Sequence, residues 1–409
     1  MAGTTGTETE PGRRRVADAR TDAAAGDDRN ETDAPDASGG LTVVVSVQHP
    51  AHVHFFRHAL DELAARGHET HVFAQEKDVT VDLLDAYGID HTVVGTRRSL
   101  GALPATQLAF EYRLWRATRA LDPDVMTAVG GVAVSHVAAL VGAESVVFTD
   151  TEHATLVNAL AFPFADRVCT PECYRGDAGP GQHTYPGYHE LAYLHPDRFD
   201  PDPRALDDAH VAPEDRYVVL RLVRWNATHN AGDGGLDDVH DAVSRLAATG
   251  AEVVISAEGD LPPDLESRRT TVATERVHDL LYYADLFVGE SGTMTAESAV
   301  LGTPSVYVNA NETGLAADLA DYGVVYPHCG PDRHERAIET AEALLADPER
   351  VDWAARRRRL LADRRDTTDV VVEQVLDAGG AGGEEDGPGE ADAGGDGHTT
   401  AEPEGRDRP

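Results

Sequence analysis

Three histidines within six residues, His49, His52 and His54, stand directly after the apolar run Leu41–Val47. A second polar group, Asp150-Thr151-Glu152-His153, follows another apolar run that ends at Phe148. Neighbouring carboxylates push each other's pKa values apart, and an imidazole carries protons near neutrality, so both groups hold the parts of general acid–base chemistry. His54, Asp150, Glu152 and His153 are therefore the candidate catalytic residues, with His49 and His52 as candidate substrate contacts. No carboxylate or fourth ligand lies near the histidines in sequence, so no metal site is expected. His58, one turn further on, is read as structural. Asp150 or Thr151 would equally serve as a helix N-cap with Glu152 in the first turn, and the two roles are compatible.

A third motif is the turn Gly289-Glu290-Ser291-Gly292-Thr293 between an apolar strand and a helix. Free N–H groups at a helix start, added to its dipole, attract anions, and Gly292 permits close backbone approach. Ser291, Gly292 and Thr293 thus form a candidate diphosphate seat. Glu297, one turn into the helix, would accept hydrogen bonds from a ribose diol. Taken alone, Ser291 and Thr293 also read as simple helix caps. Arg224, Trp225 and Asn226, with His229, close another strand and would clamp phosphate or stack on a base, though a structural tryptophan fits as well.

Positioning these groups requires a repeating strand–helix frame. Apolar runs at 41–47, 71–74, 91–94, 125–129 and 145–148 alternate with helical patterns, and a second series runs through 217–223, 253–256, 286–288, 305–308 and 324–326. Such alternation predicts parallel sheets covered on both faces, with right-handed crossovers and ligands at the carboxyl ends of the strands. The expected fold is α/β: two Rossmann-like domains facing each other across a cleft, residues 41–200 and residues 201–376. The Pro-, Gly- and His-rich stretch 174–213 is assigned to the connection, with Tyr185–Pro196 as a hinge and His189 and Glu190 near the cleft. Residues 1–40 and 377–409, poor in large apolar side chains, are expected to be disordered acidic tails.

The 409 residues carry a net charge of -37, with a single lysine, Lys77. Most of that charge lies between the tails, the composition of a salt-adapted cytoplasm such as that of halophilic archaea. No basic stripe is present to displace counterions from nucleic acid. No apolar run reaches the roughly 20 residues of a membrane helix. Three cysteines, Cys169, Cys173 and Cys329, give no disulfide framework or zinc set, so a reducing cytoplasm is the expected setting.

The segments HPAHVHFF, FTDTEHA, FPFAD, YPGYHELAYLHP and GESGTMTAESAVLGTP resemble the domain of unknown function 354 family, over roughly residues 41–330. The last of them is also similar to the nucleotide-binding stretch of GT-B enzymes, including the UDP-N-acetylglucosamine 2-epimerases and the N-acetylglucosaminyltransferases of cell-wall synthesis. The resemblance implies diphosphate at Ser291–Thr293, ribose at Glu297, and a nucleotide diphosphate sugar, UDP-linked by analogy, as substrate without a further cofactor. The resemblance also implies a GT-B-like fold, with residues 41–200 on the acceptor side and 201–376 binding the nucleotide, and does not itself fix a reaction. A glycosyltransferase with an unidentified acceptor is the expected function; a sugar-nucleotide epimerase or hydrolase and a non-catalytic nucleotide-sugar-binding regulator are the alternatives. Val132 stands where the epimerase pattern expects an acid after Gly130-Gly131, and the segment 221–226 replaces its histidine–arginine loop, which argues against epimerisation.

Overall fold

The structure, a computed structural model, describes residues 39–96, 103–209, 211–223 and 238–382. Valine-rich segments make the first sheet: β1 (Thr42–Val47), β2 (Glu69–Glu76), β3 (His91–Thr96), β4 (Val125–Val129), β5 (Glu144–Phe148), β6 (Arg167–Pro171) and β7 (Gln182–Tyr185). The helices of this half are α1 (Pro50–Ala65), α2 (Thr80–Ala86), α3 (Leu103–Thr118), α4 (Val132–Val141), α5 (Thr155–Ala161) and α6 (Leu191–Leu194). Val43, Val44, Val45 and Val47 of β1 are all buried, because helices cover both faces of the sheet. β-branched side chains, stiff at χ1, suit such a pleated and doubly packed surface.

The second sheet is built from β8 (Tyr217–Leu222), β9 (Glu252–Ala257), β10 (Leu286–Gly289), β11 (Ser305–Val308) and β12 (Val325–His328). Its helices are α7 (Val239–Ala248), α8 (Val277–Tyr283), α9 (Gly292–Leu301), α10 (Gly314–Asp321) and α11 (Arg333–Ala346), followed by α12 (Trp353–Ala362) and α13 (Thr367–Ala378). All strand pairs are parallel. The strand orders are β3-β2-β1-β4-β5-β6-β7 and β12-β11-β10-β8-β9. Chain direction reverses across the sheet between β1 and β4, and again between β8 and β10. At such switch points adjacent crossovers run to opposite faces and leave a crevice at the carboxyl ends of the strands. The fold is the expected mixed α/β arrangement with two Rossmann-like sheets, and both belong to one compact unit that starts at Gly40.

Two features differ from the sequence reading. β7 lies inside the stretch assigned to the connection; its residues, Gln-His-Thr-Tyr, give no apolar alternation because it is the sheet edge and only Tyr185 is fully buried. The other is the last helix. α13 was grouped with the second half, yet it packs on α1, α6 and β5 of the first. Val370, Val371, Val372 and Val375 supply its apolar stripe. Thr367 Oγ1 donates to the Tyr188 carbonyl and Thr368 Oγ1 to the Ala192 carbonyl, both at 2.7 Å. Arg198 holds Asp366, Asp369 and Glu62 together beside it. Gly187 lets the two segments touch, since a Cβ there would stand 2.8 Å from Thr367 Oγ1. The helix also carries ordered chain past residue 377, where the acidic tail was expected to begin; the remaining tail residues, 1–38 and 383–409, lie outside the described residues. Among the described residues no helix is long and apolar enough to cross a membrane.

Val372 is fully buried at this junction. Val372→Ala is expected to lower the unfolding free energy by about 2 kcal/mol, the loss of two buried methyl groups plus the cavity left behind, measured by guanidinium denaturation.

Candidate functional site

The carboxyl ends of the two sheets meet, and the loops there carry most of the singled-out residues. After β1, His49 caps α1 by accepting from the Ala51 N–H at 3.2 Å, and His52 Nδ1 accepts from the Gln48 N–H at 3.4 Å. Their rings are neighbours, with centroids 5.8 Å apart. Burial, with the charges of Lys77 and neighbouring histidines, holds both below the usual imidazole range, so both are neutral donors or acceptors near pH 7. His54 does not join them. Two positions along a helix is about half a turn, so its side chain enters the interior, 4% exposed. There its Nδ1 pairs with Tyr87 Oη at 3.1 Å, and its ring packs against Tyr193 and His278 at 5.2 and 4.7 Å. Burial and the nearby His278 keep it uncharged. The catalytic reading of His54 is corrected accordingly: it is a packing and hydrogen-bonding residue behind the site.

After β5, Asp150 Oδ1 accepts from Thr151 Oγ1 at 2.8 Å, while Oδ2 faces His189 Nδ1 at 3.5 Å. The alternative of a helix cap is not realised, because α5 starts at Thr155 behind Ala154 and takes no side-chain cap. Glu152 Oε1 instead accepts from the Gly314 N–H at 2.6 Å, the first residue of α10 in the other half. His153 is exposed. His189 and Glu190, between β7 and α6, are buried, and His189 Nε2, Glu190 Oε2 and Tyr185 Oη find no partner among the described residues. Burial pushes the Glu190 carboxyl well above the carboxylate range, and the charges of Asp150 and Glu297 add to it. Asp150 and His189 are thus paired at 3.5 Å, and the buried Glu190 follows His189 in the chain.

On the facing wall, Ser291 caps α9 and accepts from the Met294 N–H at 3.3 Å. Of the two caps read from the sequence, Ser291 fills that role while Thr293 lies inside α9, and the first-turn amides of Gly292 and Thr293 are left without intrahelical acceptors. The glycine that packing demands is Gly289, where a Cβ would come 2.7 Å from Arg221 Cβ; at Gly292 it would meet only Tyr307 Oη at 3.4 Å. Glu297, expected to reach toward a ribose, is 4% exposed. Its Oε1 takes Tyr193 Oη at 2.8 Å and pairs with His278 Nε2 at 3.0 Å. Burial alone would raise its pKa, but His278 and Tyr193 outweigh that and hold it below the ordinary value. A ribose diol would have to share this carboxylate with the two side chains. Arg224, Trp225, Asn226 and His229 lie outside the described residues.

Sequence reasoning missed Tyr193 and His278 as partners of Glu297 and left His189 and Glu190 without roles. An aromatic or histidine in a helix carries no local mark of a contact 104 or 19 residues away. Two cavities open nearby. One of about 460 Å³ runs from Glu152 along Asn158, Phe162 and Tyr174, and one of about 430 Å³ lies between Tyr307, Thr313 and Arg336. Among the described residues no three His, Cys, Asp or Glu side chains converge as metal ligands. Burial pushes the Cys169 thiol up to about 12, so it is an inert core residue.

Comparison with known proteins places this geometry. The model of the family described as "Protein of unknown function (DUF354)" matches residues 41–379. The chain belongs to the DUF354 family. It is similar to the uncharacterized protein MJ0665 of Methanocaldococcus jannaschii, 20% identical over 280 residues that cover 65% of this chain and 81% of that protein. Among solved structures, this DUF354 protein resembles the UDP-GlcNAc 2-epimerase of Neisseria meningitidis bound to UDP-GlcNAc, with a TM-score of 0.58, 12% identity, and 82% of this chain and 100% of that one covered. It resembles the UDP-GlcNAc 2-epimerase of Methanocaldococcus jannaschii at a TM-score of 0.55, 10% identity, and 79% and 99% coverage. The spinosyn forosaminyltransferase SpnP follows at 0.56, 17% identity, and 83% and 100% coverage. At these identities the likeness is one of fold, and the fold is GT-B-like.

Two outcomes test the site. A Cβ at Gly289 would also stand 3.0 Å from the Arg221 carbonyl, forcing β8 and β10 apart, so Gly289→Ala is expected to cost about 1–3 kcal/mol in a denaturation experiment. Glu190 has a raised folded pKa, so the folded state binds the extra proton and stability declines as pH climbs from the unfolded carboxylate pKa toward the folded one. Glu190→Gln removes that decline. The variant should equal the wild type near pH 4 and exceed it at pH 7 in thermal melts; an equal gap at both pH values would mean that folding does not shift the Glu190 carboxyl.

Proposed function

We propose that this protein is a sugar-nucleotide-dependent glycosyltransferase working in the cleft between its two sheets. The observation that carries the reading is the opposition of two walls: a helix N-terminus with free first-turn amides at Gly292 and Thr293, and the paired carboxylate and imidazole of Asp150 and His189. The diphosphate of the donor would lie against the N-terminus of α9, where backbone N–H groups and the helix dipole favour the charge that grows as the sugar leaves. An acceptor hydroxyl from the side of Glu152 would attack the anomeric carbon. The new carbon–oxygen bond forms as the bond from that carbon to the diphosphate oxygen breaks, and the hydroxyl proton passes to Asp150, which His189 orients. The nucleoside diphosphate leaves with the bonding electrons.

One observation favours a second reading. Glu190, held above the ordinary carboxylate range by burial and by the charge of Asp150, would serve with Asp150 as the acid and base pair that proton exchange at a sugar carbon requires. Similarity of fold to UDP-GlcNAc 2-epimerases accords with that reading without deciding it. A glycosyltransferase releases nucleoside diphosphate only when an acceptor is supplied, whereas an epimerase or hydrolase changes the sugar nucleotide alone, and a regulator binds without turnover.

Calorimetry with UDP, GDP and UDP-GlcNAc, at a salt concentration where circular dichroism shows the fold intact, is the direct test. Binding should weaken at least about tenfold in Glu297→Ala, since a charged hydrogen-bond acceptor is worth about 1.5–3 kcal/mol. Asp150→Asn should leave binding within about threefold and lower turnover about 10²–10⁴-fold. A folded wild type that binds none of these nucleotides would remove the sugar-nucleotide reading for them.

A further inference from the structure

Seven of the nine large apolar side chains that stand exposed among the described residues gather on one side of the first sheet. They are Leu108 and Tyr112 of α3, Leu140 of α4, Leu156, Val157 and Leu160 of α5, and Phe164 just beyond it. Leu156, Leu140 and Leu108 are 72%, 70% and 66% exposed. His136 of α4 joins the three helices into one face: its Nδ1 meets Glu111 of α3 at 3.2 Å, its Nε2 the Leu160 carbonyl at 3.0 Å, and its ring Phe164 at 4.7 Å. Exposed apolar patches of this extent mark interaction surfaces.

Charge decides what fits the face. In a chain with 72 acidic residues, α4, α5 and Phe162–Phe164 contain none. The one acid of α3, Glu111, is taken by His136 and Gln107. Arg116 and Arg119 follow Leu108 and Tyr112 at helical spacing on the same side of α3, and neither enters an ion pair among the described residues, Arg119 lying over the Trp115 ring. A second copy meeting this face with its own would bring no free anion to those arginines. A lipid surface brings both parts, hydrocarbon for the leucines and phosphate for the cations. The cavity that ends at Glu152 lies along the inner side of the same helix, where Thr155, Asn158 and Phe162 line it.

We propose that the α3–α4–α5 face seats the protein on an anionic bilayer surface, with Leu156, Leu160 and Phe164 entering the interface and Arg116 and Arg119 against phosphate. The repulsion from the net charge of -37 is screened by salt beyond a Debye length, while apolar insertion and these two contacts act at close range. This assignment does not depend on the reaction carried out in the cleft. The test is flotation of the full chain with phosphatidylglycerol vesicles and with phosphatidylcholine vesicles, at the lowest KCl concentration that preserves the circular dichroism spectrum. The wild type should float with phosphatidylglycerol. Leu156→Glu/Leu160→Glu should lose at least about tenfold in vesicle partitioning, and Arg116→Glu/Arg119→Glu should lose the preference for phosphatidylglycerol over phosphatidylcholine. All four positions are surface positions, so both variants are expected to fold, and two independent variants guard against one failing. Failure of the folded wild type to float overturns the proposal. So does light scattering that shows a dimer which the Leu156→Glu/Leu160→Glu variant converts to monomer, because the face is then an interface between copies.

Discussion

A carboxylate closed off from water must be neutralised or supplied with hydrogen-bond donors, and the way Glu297 is supplied organises much of the molecule around it. Tyr193 reaches it from α6, an element of the first half, and His278 reaches it from α8, an element of the second. His54 packs on both of those rings and is fixed in turn by Tyr87. One buried acid thereby ties α1, α2, α6, α8 and α9 into a single polar core. Removing either partner would leave the other alone to hold a buried charge, which is costlier than losing an ordinary hydrogen bond. The cleft above this core consequently has a stiff floor, and motion between the halves has to occur in the loops that rim it.

The rim is held differently. Glu152 reaches across to the Gly314 amide, at the positive end of α10, and Arg364 joins Asp318 of α10 to Glu172 of the first half. Glu172, at 55% exposure, is open to water, whereas Arg364 at 10% is largely enclosed, so water can replace only part of what holds the rim. α13 adds a covalent constraint, because the chain leaves the second half and finishes on the first. The two sheets are joined once near residues 186–216 and again at 363–366, and a double connection restricts relative motion to a hinge rather than a free swing.

How much of this was legible in the sequence follows from how local each cause is. Valine-rich strands, glycine stops and Ser291 as a cap are written within a few residues, and the alternating frame came through because parallel sheets demand it. β7 did not, since an edge strand with one buried residue need not alternate. The residues of α13 were assigned to the second half with 201–376, because an apolar stripe says that a helix packs and not on what. The same limit applies to Glu297: its position on α9 was readable, its partners at positions 193 and 278 were not. His54 was partly readable, as helical spacing from His52 already turned it inward. At Gly289 the signal was present but was assigned to Gly292, three residues later, because the close approach is made by a neighbouring strand rather than by a ligand.

Electrostatics gives the candidate site its remaining constraint. A chain of net charge -37 repels a nucleotide at long range, so any attraction has to arise within a Debye length of the seat, about 8 Å at physiological ionic strength. Among the described residues the sources there are the first-turn amides of α9 and the guanidinium of Arg221, which lies beside Gly289 in the register of β8 and β10. Arg221 is already engaged, with Nη1 on Ser256 and Nη2 on Glu258, while its Nε is buried without a partner. An anion arriving at the α9 N-terminus would compete with Glu258 for this cation. Added salt acts on both sides of that competition: it screens the repulsion that hinders approach and weakens the half-exposed Arg221–Glu258 pair, while amide donors fixed by the helix lose little. The balance makes backbone amides, rather than side-chain charge, the dependable part of an anion seat in so acidic a protein.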